Sequence, residues 1–215
     1  MADHERLLGA LLDRAGTTYA SQAGIRLTDT PAPLYRLLVL SVLLSTWIRA
    51  AIAVAAAREL VDSGMGTPQR MLDASWQERV DALGRAHYVR YDETTATALG
   101  EGAELLQTEY RGDLRRLRAR GEDDPARIRK LLTAFPRLGP VGADIFCREA
   151  QEVWPRLRPA LDGKTLDGAR RIGLPADADD LAKLIPEHDT ARAAAALVRV
   201  ALDGDLADEV VAAAG

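Results

Sequence analysis

Two stretches of this 215-residue chain combine residue types suited to chemistry. The first is Phe135-Pro136-Arg137-Leu138-Gly139-Pro140-Val141-Gly142-Ala143. Its glycines fall where a very tight turn between helices demands positive φ or the close approach of another backbone. A turn that opens a helix also points free N–H groups outward, ready for a phosphate oxygen. An ordinary helix–helix corner with a proline has the same spacing. The second stretch begins at Asp162, whose run Gly163-Lys164-Thr165 opens a further helix, so that its carboxylate is placed to accept N-terminal N–H bonds. A third group, His87, Tyr88, Arg90 and Tyr91, interleaves aromatic and basic side chains on one loop. That pattern suits base stacking and phosphate contact, or equally the packing of two tyrosines.

Helices must position all of these residues. Alanine, leucine and arginine dominate, while aromatic and β-branched residues are sparse, so an all-α fold is predicted. Apolar spacing and punctuation place helices over about 4–14, 34–45 (continued or restarted through 50–60), 68–74, 75–84, 92–110 and 125–135. Further helices are predicted over about 143–152, 165–172, 178–184 and 188–201. The acidic tail from Asp203 reads as frayed. Thr67-Pro68 is an N-cap followed by proline at the first helical position, and Ser75 with Glu78 forms a capping box.

Size allows one compact domain or two small interlocked ones that bury a core without disulfide or metal. The single cysteine, Cys147, excludes an internal disulfide and a cluster held by four cysteines of one chain. Leu37 to Trp47 is too short to span a bilayer, and the first residues lack a basic-then-apolar leader, so a soluble cytoplasmic protein without membrane contact is expected. Net charge is −4, but unevenly spread. Residues 111–171 hold 15 Lys+Arg against 9 Asp+Glu, and the rest hold 13 against 23. One basic face towards phosphate would explain this, as would a solvated helix carrying Arg115, Arg116, Arg118 and Arg120.

From the hairpin to Leu174 the chain resembles the helix-hairpin-helix DNA glycosylases of the endonuclease III type. In that family the hairpin reads roughly L-P-G-V-G-x-x-T-A, and an aspartate comes one helix and one loop later at the start of another helix. Asp162 occupies that place, and Arg170, Arg171, Gly173 and Leu174 are similar to the family's polar stretch and closing Gly-Leu beyond the aspartate. Upstream, Leu37 to Trp47 looks like the family's apolar helix ending in L-L-S-x-Q, and Leu83-Gly84 like its I-G corner. The resemblance spans residues 34–174. It implies two interlocked helical subdomains with a DNA-binding cleft between them, one over 30–140 and one over 1–29 plus 141–215. It also implies a base-excision glycosylase acting on a damaged or mismatched base flipped from duplex DNA, working as a monomer. The catalytic carboxylate would be Asp162, stabilising positive charge on the sugar and orienting water. The alternative is an inactive DNA- or lesion-binding protein of the same fold.

The hairpin residues Arg137, Leu138, Gly139, Val141 and Gly142 would hold phosphate, with a monovalent cation at the hairpin backbone as an optional ion. Trp47 stands where relatives carry a glutamine that fills the gap left by the flipped base, so it would stack there, wall a pocket, or belong to the core. His87, Tyr88, Arg90 and Tyr91 fall in the loop that probes the opposite strand. Several residues depart from the family pattern. Val141 fills the position of the strand-cutting lysine when aligned on Leu138-Gly139, which implies little or no lyase activity. Lys164 is a substitute amine or a phosphate contact. Arg137 replaces the first hairpin glycine, Pro140 removes a donor, and no cysteines lie beyond Leu174, which implies no iron–sulfur cluster.

Overall fold

The computed structural model describes residues 2–215, with side chains from Asp3 onward. Every regular element among them is helical. In chain order these are α1 (Ala2–Ala15), α2 (Tyr19–Gln22), α3 (Pro31–Leu44), α4 (Ala50–Asp62), α5 (Pro68–Asp73), α6 (Trp76–Arg85) and α7 (Asp92–Tyr110). Next come α8 (Leu114–Arg120), α9 (Pro125–Leu132), α10 (Gly139–Ala150), α11 (Gly163–Ile172), α12 (Ala178–Leu184), α13 (Thr190–Leu202) and α14 (Gly204–Ala214). Single 3-10 turns lie at Pro155–Leu157 and Glu187–Asp189. No described helix is long and apolar enough to cross a membrane.

The chain forms two compact units, one of Ala20–Cys147 and one of Arg148–Gly215 together with the residues up to Tyr19. The first unit is built on α3. Its sequence is apolar on every side, and Leu34, Tyr35 and everything from Leu37 to Leu43 is buried, as befits a helix with neighbours all round. Pro31 and Pro33 start it three residues earlier than the periodicity predicts, because first-turn N–H groups have no intrahelical partner to lose. Helices α4 and α8 pack on α3, while α5 and α6 pack on α7. The capping box at the start of α6 is formed: Glu78 N–H donates to Ser75 Oγ at 3.2 Å and Ser75 N–H donates to Glu78 Oε2 at 2.7 Å.

The second unit joins both ends of the chain. Leu7, Leu8 and Leu11 of α1 share a core with Ala169, Ile172, Leu197 and Val200 of α11 and α13. Small residues set its tightest contact. A Cβ on Gly168 would lie 1.9 Å from the Leu197 carbonyl oxygen, so α11 and α13 touch backbone to backbone. Arg199 and Arg192 close the end of α1, donating to the Ala15 and Gly16 carbonyls at 2.7 and 3.0 Å. The tail does not fray. Asp203 caps α14 by accepting the Leu206 N–H at 3.2 Å, and Ala207 and Val210 are buried in the same core as α1. Hydrophobic residues at that spacing outweigh the acidic ones around them.

Candidate nucleic-acid interface and carboxylate

The hairpin begins with α9, which is capped by Asp124 accepting the Arg127 N–H at 2.8 Å and buries Ile128 and Leu132. The chain then turns through 133–138 and re-enters helix at Gly139, four residues before the sequence pattern suggests. Arg137 and Gly139 both take left-handed backbone, at φ 60 and 55. Arg137 thus performs the bend expected of a glycine, at a strain of about 1–2 kcal/mol. Leu138 N–H donates to Phe135 O at 3.1 Å, Gly142 N–H to Leu138 O at 2.9 Å, and Ser45 Oγ from the end of α3 to Arg137 O at 3.1 Å. Gly142 is required by this closeness: its Cβ would sit 2.8 Å from Leu138 Cδ1 and 3.3 Å from Ser45 Cβ.

Two loops join the turn. Thr46, just past α3, shares a 2.8 Å hydrogen bond with the Tyr88 hydroxyl, and the Arg137 guanidinium lies 5.6 Å from the centre of the Tyr91 ring. Arg90 approaches the same ring at 5.3 Å. Hairpin, 45–49 loop and 86–91 loop are therefore tied together within one unit. Their residues divide into two kinds. Tyr88, Leu138 and Gly142 are buried and fix the loops, whereas Trp47, His87, Arg90, Arg137 and Val141 are exposed. Trp47 is 90 % exposed, so it is no core residue. Phe135 stacks on Tyr110 of α7 at 6.4 Å and anchors the turn from below. Carbonyls of Phe135, Arg137 and Leu138 are engaged within the turn. Each already accepts one hydrogen bond, with a second lone pair remaining.

The other unit holds Asp162. It caps α11, Oδ1 accepting the Thr165 N–H at 3.0 Å and lying 3.2 Å from Thr165 Oγ1. Its second oxygen, Oδ2, pairs with Arg148 Nη1 at 3.0 Å, the two side chains being only 12 % and 8 % exposed. Gln151 holds the approach to Asp162. Its Nε2 donates to the Arg148 and Ala160 carbonyls at 2.9 and 3.3 Å, and its Oε1 accepts the Ala160 N–H at 2.9 Å. Arg158 adds a 2.9 Å bond to Gln151 O. Sequence reasoning missed Arg148 and Gln151. The available signal was three polar residues, Arg148, Glu149 and Gln151, closely spaced at the end of the largely buried α10. Lys164 is exposed and paired with Asp167 at 3.3 Å.

The basic stretch is largely self-compensated. Arg115 pairs with Asp113 at 2.7 Å, Arg118 with Asp29 at 2.9 Å and Asp123 at 3.2 Å, and Arg120 with Glu109 at 3.1 Å. Arg129 of α9 pairs with Asp144 of α10 at 2.9 Å, bracing the hairpin rather than presenting charge. Cys147 is buried on α10, and burial pushes its thiol up to about 12. Among the described residues no cluster of His, Cys, Asp and Glu is arranged to hold a metal ion.

No protein-family model and no curated protein sequence matches this chain. Among solved structures, the chain is similar to a trapped endonuclease III–DNA covalent intermediate, an estranged-adenine complex, at 17 % identity. That likeness covers 75 % of this chain and 70 % of the other, with a TM-score of 0.49.

Proposed function

We propose that this protein binds duplex DNA through the hairpin and its two companion loops, and removes a damaged or mismatched base as a monofunctional glycosylase. One observation carries the reading: an exposed tryptophan, two arginines and the opening turn of a helix are tied together on one unit. The Gly139 and Val141 amides that open α10 suit a phosphate oxygen, with Arg137 beside them supplying charge. Trp47 is a stacking surface for an unpaired or displaced base.

In this reading Asp162 is the catalytic carboxylate. As the glycosidic C–N bond breaks, its electron pair leaves with the base, which takes up a proton, and positive charge grows on the sugar. Asp162 stabilises that charge and orients the water whose oxygen joins the sugar carbon. Val141 offers no amine for attack on the sugar, and Lys164 is engaged by Asp167, so strand cutting is not part of the proposal.

A second reading, lesion binding without excision, is favoured by one contact: the Arg148 guanidinium offsets the charge that Asp162 would lend to the sugar. The test incubates the wild type and Asp162→Asn with duplexes each bearing one lesion, then applies alkali to reveal abasic sites. Release by the wild type, reduced at least about a hundredfold in Asp162→Asn, is expected. Equal release by both overturns the assignment, and binding without release by either establishes the second reading. Strand cutting without alkali, trapped by borohydride, overturns the monofunctional reading.

A further inference from the structure

Asp162 and Arg148 form a buried ion pair that a catalytic carboxylate has little reason to keep. Resting on the reading of Asp162 as the residue facing the sugar, we propose that Arg148 is a displaceable clamp. It holds Asp162 in the free protein and exchanges the carboxylate for a DNA phosphate oxygen when duplex binds.

The carboxylate divides its two oxygens: Oδ1 serves the start of α11 through Thr165, whereas Oδ2 has Arg148. The helix cap therefore survives loss of the Arg148 contact, and Asp162 is held in place without it. The contact is made by Nη1 at 3.0 Å, a single-pronged geometry in a side chain able to grip phosphate with two parallel donors. A nucleotide sugar is flanked by its own phosphates, so a guanidinium touching the group that faces the sugar lies within reach of them. Finally, the Arg148 carbonyl is fixed by Gln151, which also pins Ala160. The backbone at both ends of the ion pair is thus anchored by contacts that do not involve the guanidinium. The exchange would remove the positive charge that opposes the sugar cation only once DNA is present, so that the carboxylate acts at full strength on bound substrate alone.

A carboxylate that competes with phosphate for one guanidinium must weaken DNA binding, and must do so through that guanidinium. The experiment measures dissociation constants, across a range of salt, for a duplex of about 20 base pairs carrying one uncleavable tetrahydrofuran abasic site. Asp162→Asn is expected to bind about five- to tenfold more tightly than wild type. Arg148→Met is expected to bind more weakly, with the slope of log K against log salt reduced by about one. In the Arg148→Met background the gain from Asp162→Asn should vanish. If that gain persists, the effect is general charge removal and the exchange is overturned, as it is if Arg148→Met leaves the salt slope unchanged. Arg148→Gln, which keeps a donor for Asp162 but no charge, repeats the cycle should the methionine variant fold poorly. These readouts are independent of excision. Failure of the glycosylase reading appears as absence of base release by wild type, and failure of the clamp appears as absence of coupling between the two positions.

Discussion

Arg137 shows how a residue satisfies two demands at once. Its backbone adopts the left-handed turn at φ 60 while its side chain lies against Tyr91. Glycine at this position would relieve strain but remove the cation. Arg137→Gly is therefore expected to leave stability unchanged or raise it by up to about 1 kcal/mol in urea melts, while binding duplex more weakly with a shallower salt slope. Trp47 makes the opposite case, since 90 % of it is exposed. Trp47→Ala should leave the melting temperature unaltered and weaken binding to a duplex with an unstacked base by about 1–3 kcal/mol, measured by fluorescence anisotropy. Asp162 was legible in the sequence both as a helix cap and as a candidate carboxylate. Arg148 was not, because an ion pair across fourteen residues depends on how the loop 151–161 folds back, and no local pattern encodes that return.

At the level of elements, punctuation was legible and buried exceptions were not. Thr67, Ser75 and Asp162 announce helix starts through side chains that cap, which is a local interaction. The sequence pattern sets the start of α10 four residues late because Gly139 and Pro140 read as turn. They enter the helix instead, since neither loses a hydrogen bond in its first turn. Helix α14 escapes the periodicity because its acidic residues hide the apolar spacing of Leu206, Ala207 and Val210. The contact of α11 with α13 is equally invisible, being a matter of what a single glycine omits. Gly168→Ala should destabilise the protein by more than about 3 kcal/mol, because the displaced neighbour is backbone and cannot rotate away. As α11 is the helix that Asp162 caps, any surviving folded fraction should also lose activity in the alkali assay.

For the whole molecule, the charge asymmetry read from composition overstated the free positive charge. Most arginines of 111–129 are held in ion pairs, and the exposed cations on the joined loops are Arg49, Arg90 and Arg137. Stability should instead carry a signature at high pH. Burial raises the Cys147 thiol from 9.0 to about 12, so between these values the unfolded chain releases a proton that the fold retains. The folded state then binds more protons than the unfolded one, and stability falls as pH rises. The contribution is intact below about pH 9 and declines by about 1.4 kcal/mol per unit above it. Tyr35, raised by burial as well, adds to the loss above its ordinary value of 10.0. Urea melts of wild type and Cys147→Ala between pH 8 and 10 check this, the variant being expected to show the shallower decline.

The union of the two chain ends in one unit bears on the order in which the protein is made. Helix α1 leaves the ribosome ahead of the surfaces it covers, which belong to α13 and α14, about 175 residues later. At ordinary translation rates that is a wait of roughly ten to thirty-five seconds, during which Leu7, Leu8 and Leu11 lack their α13 and α14 partners and before the end of which Ala20–Cys147 is complete. A nascent chain ending near residue 150, tethered to the ribosome by a linker long enough to clear the exit tunnel, should therefore protect the 20–147 segment from protease and leave the residues before it open to cleavage. The carboxylate of Asp162 would then gain its setting only after α11 and its partner helices emerge, when the hairpin is already folded.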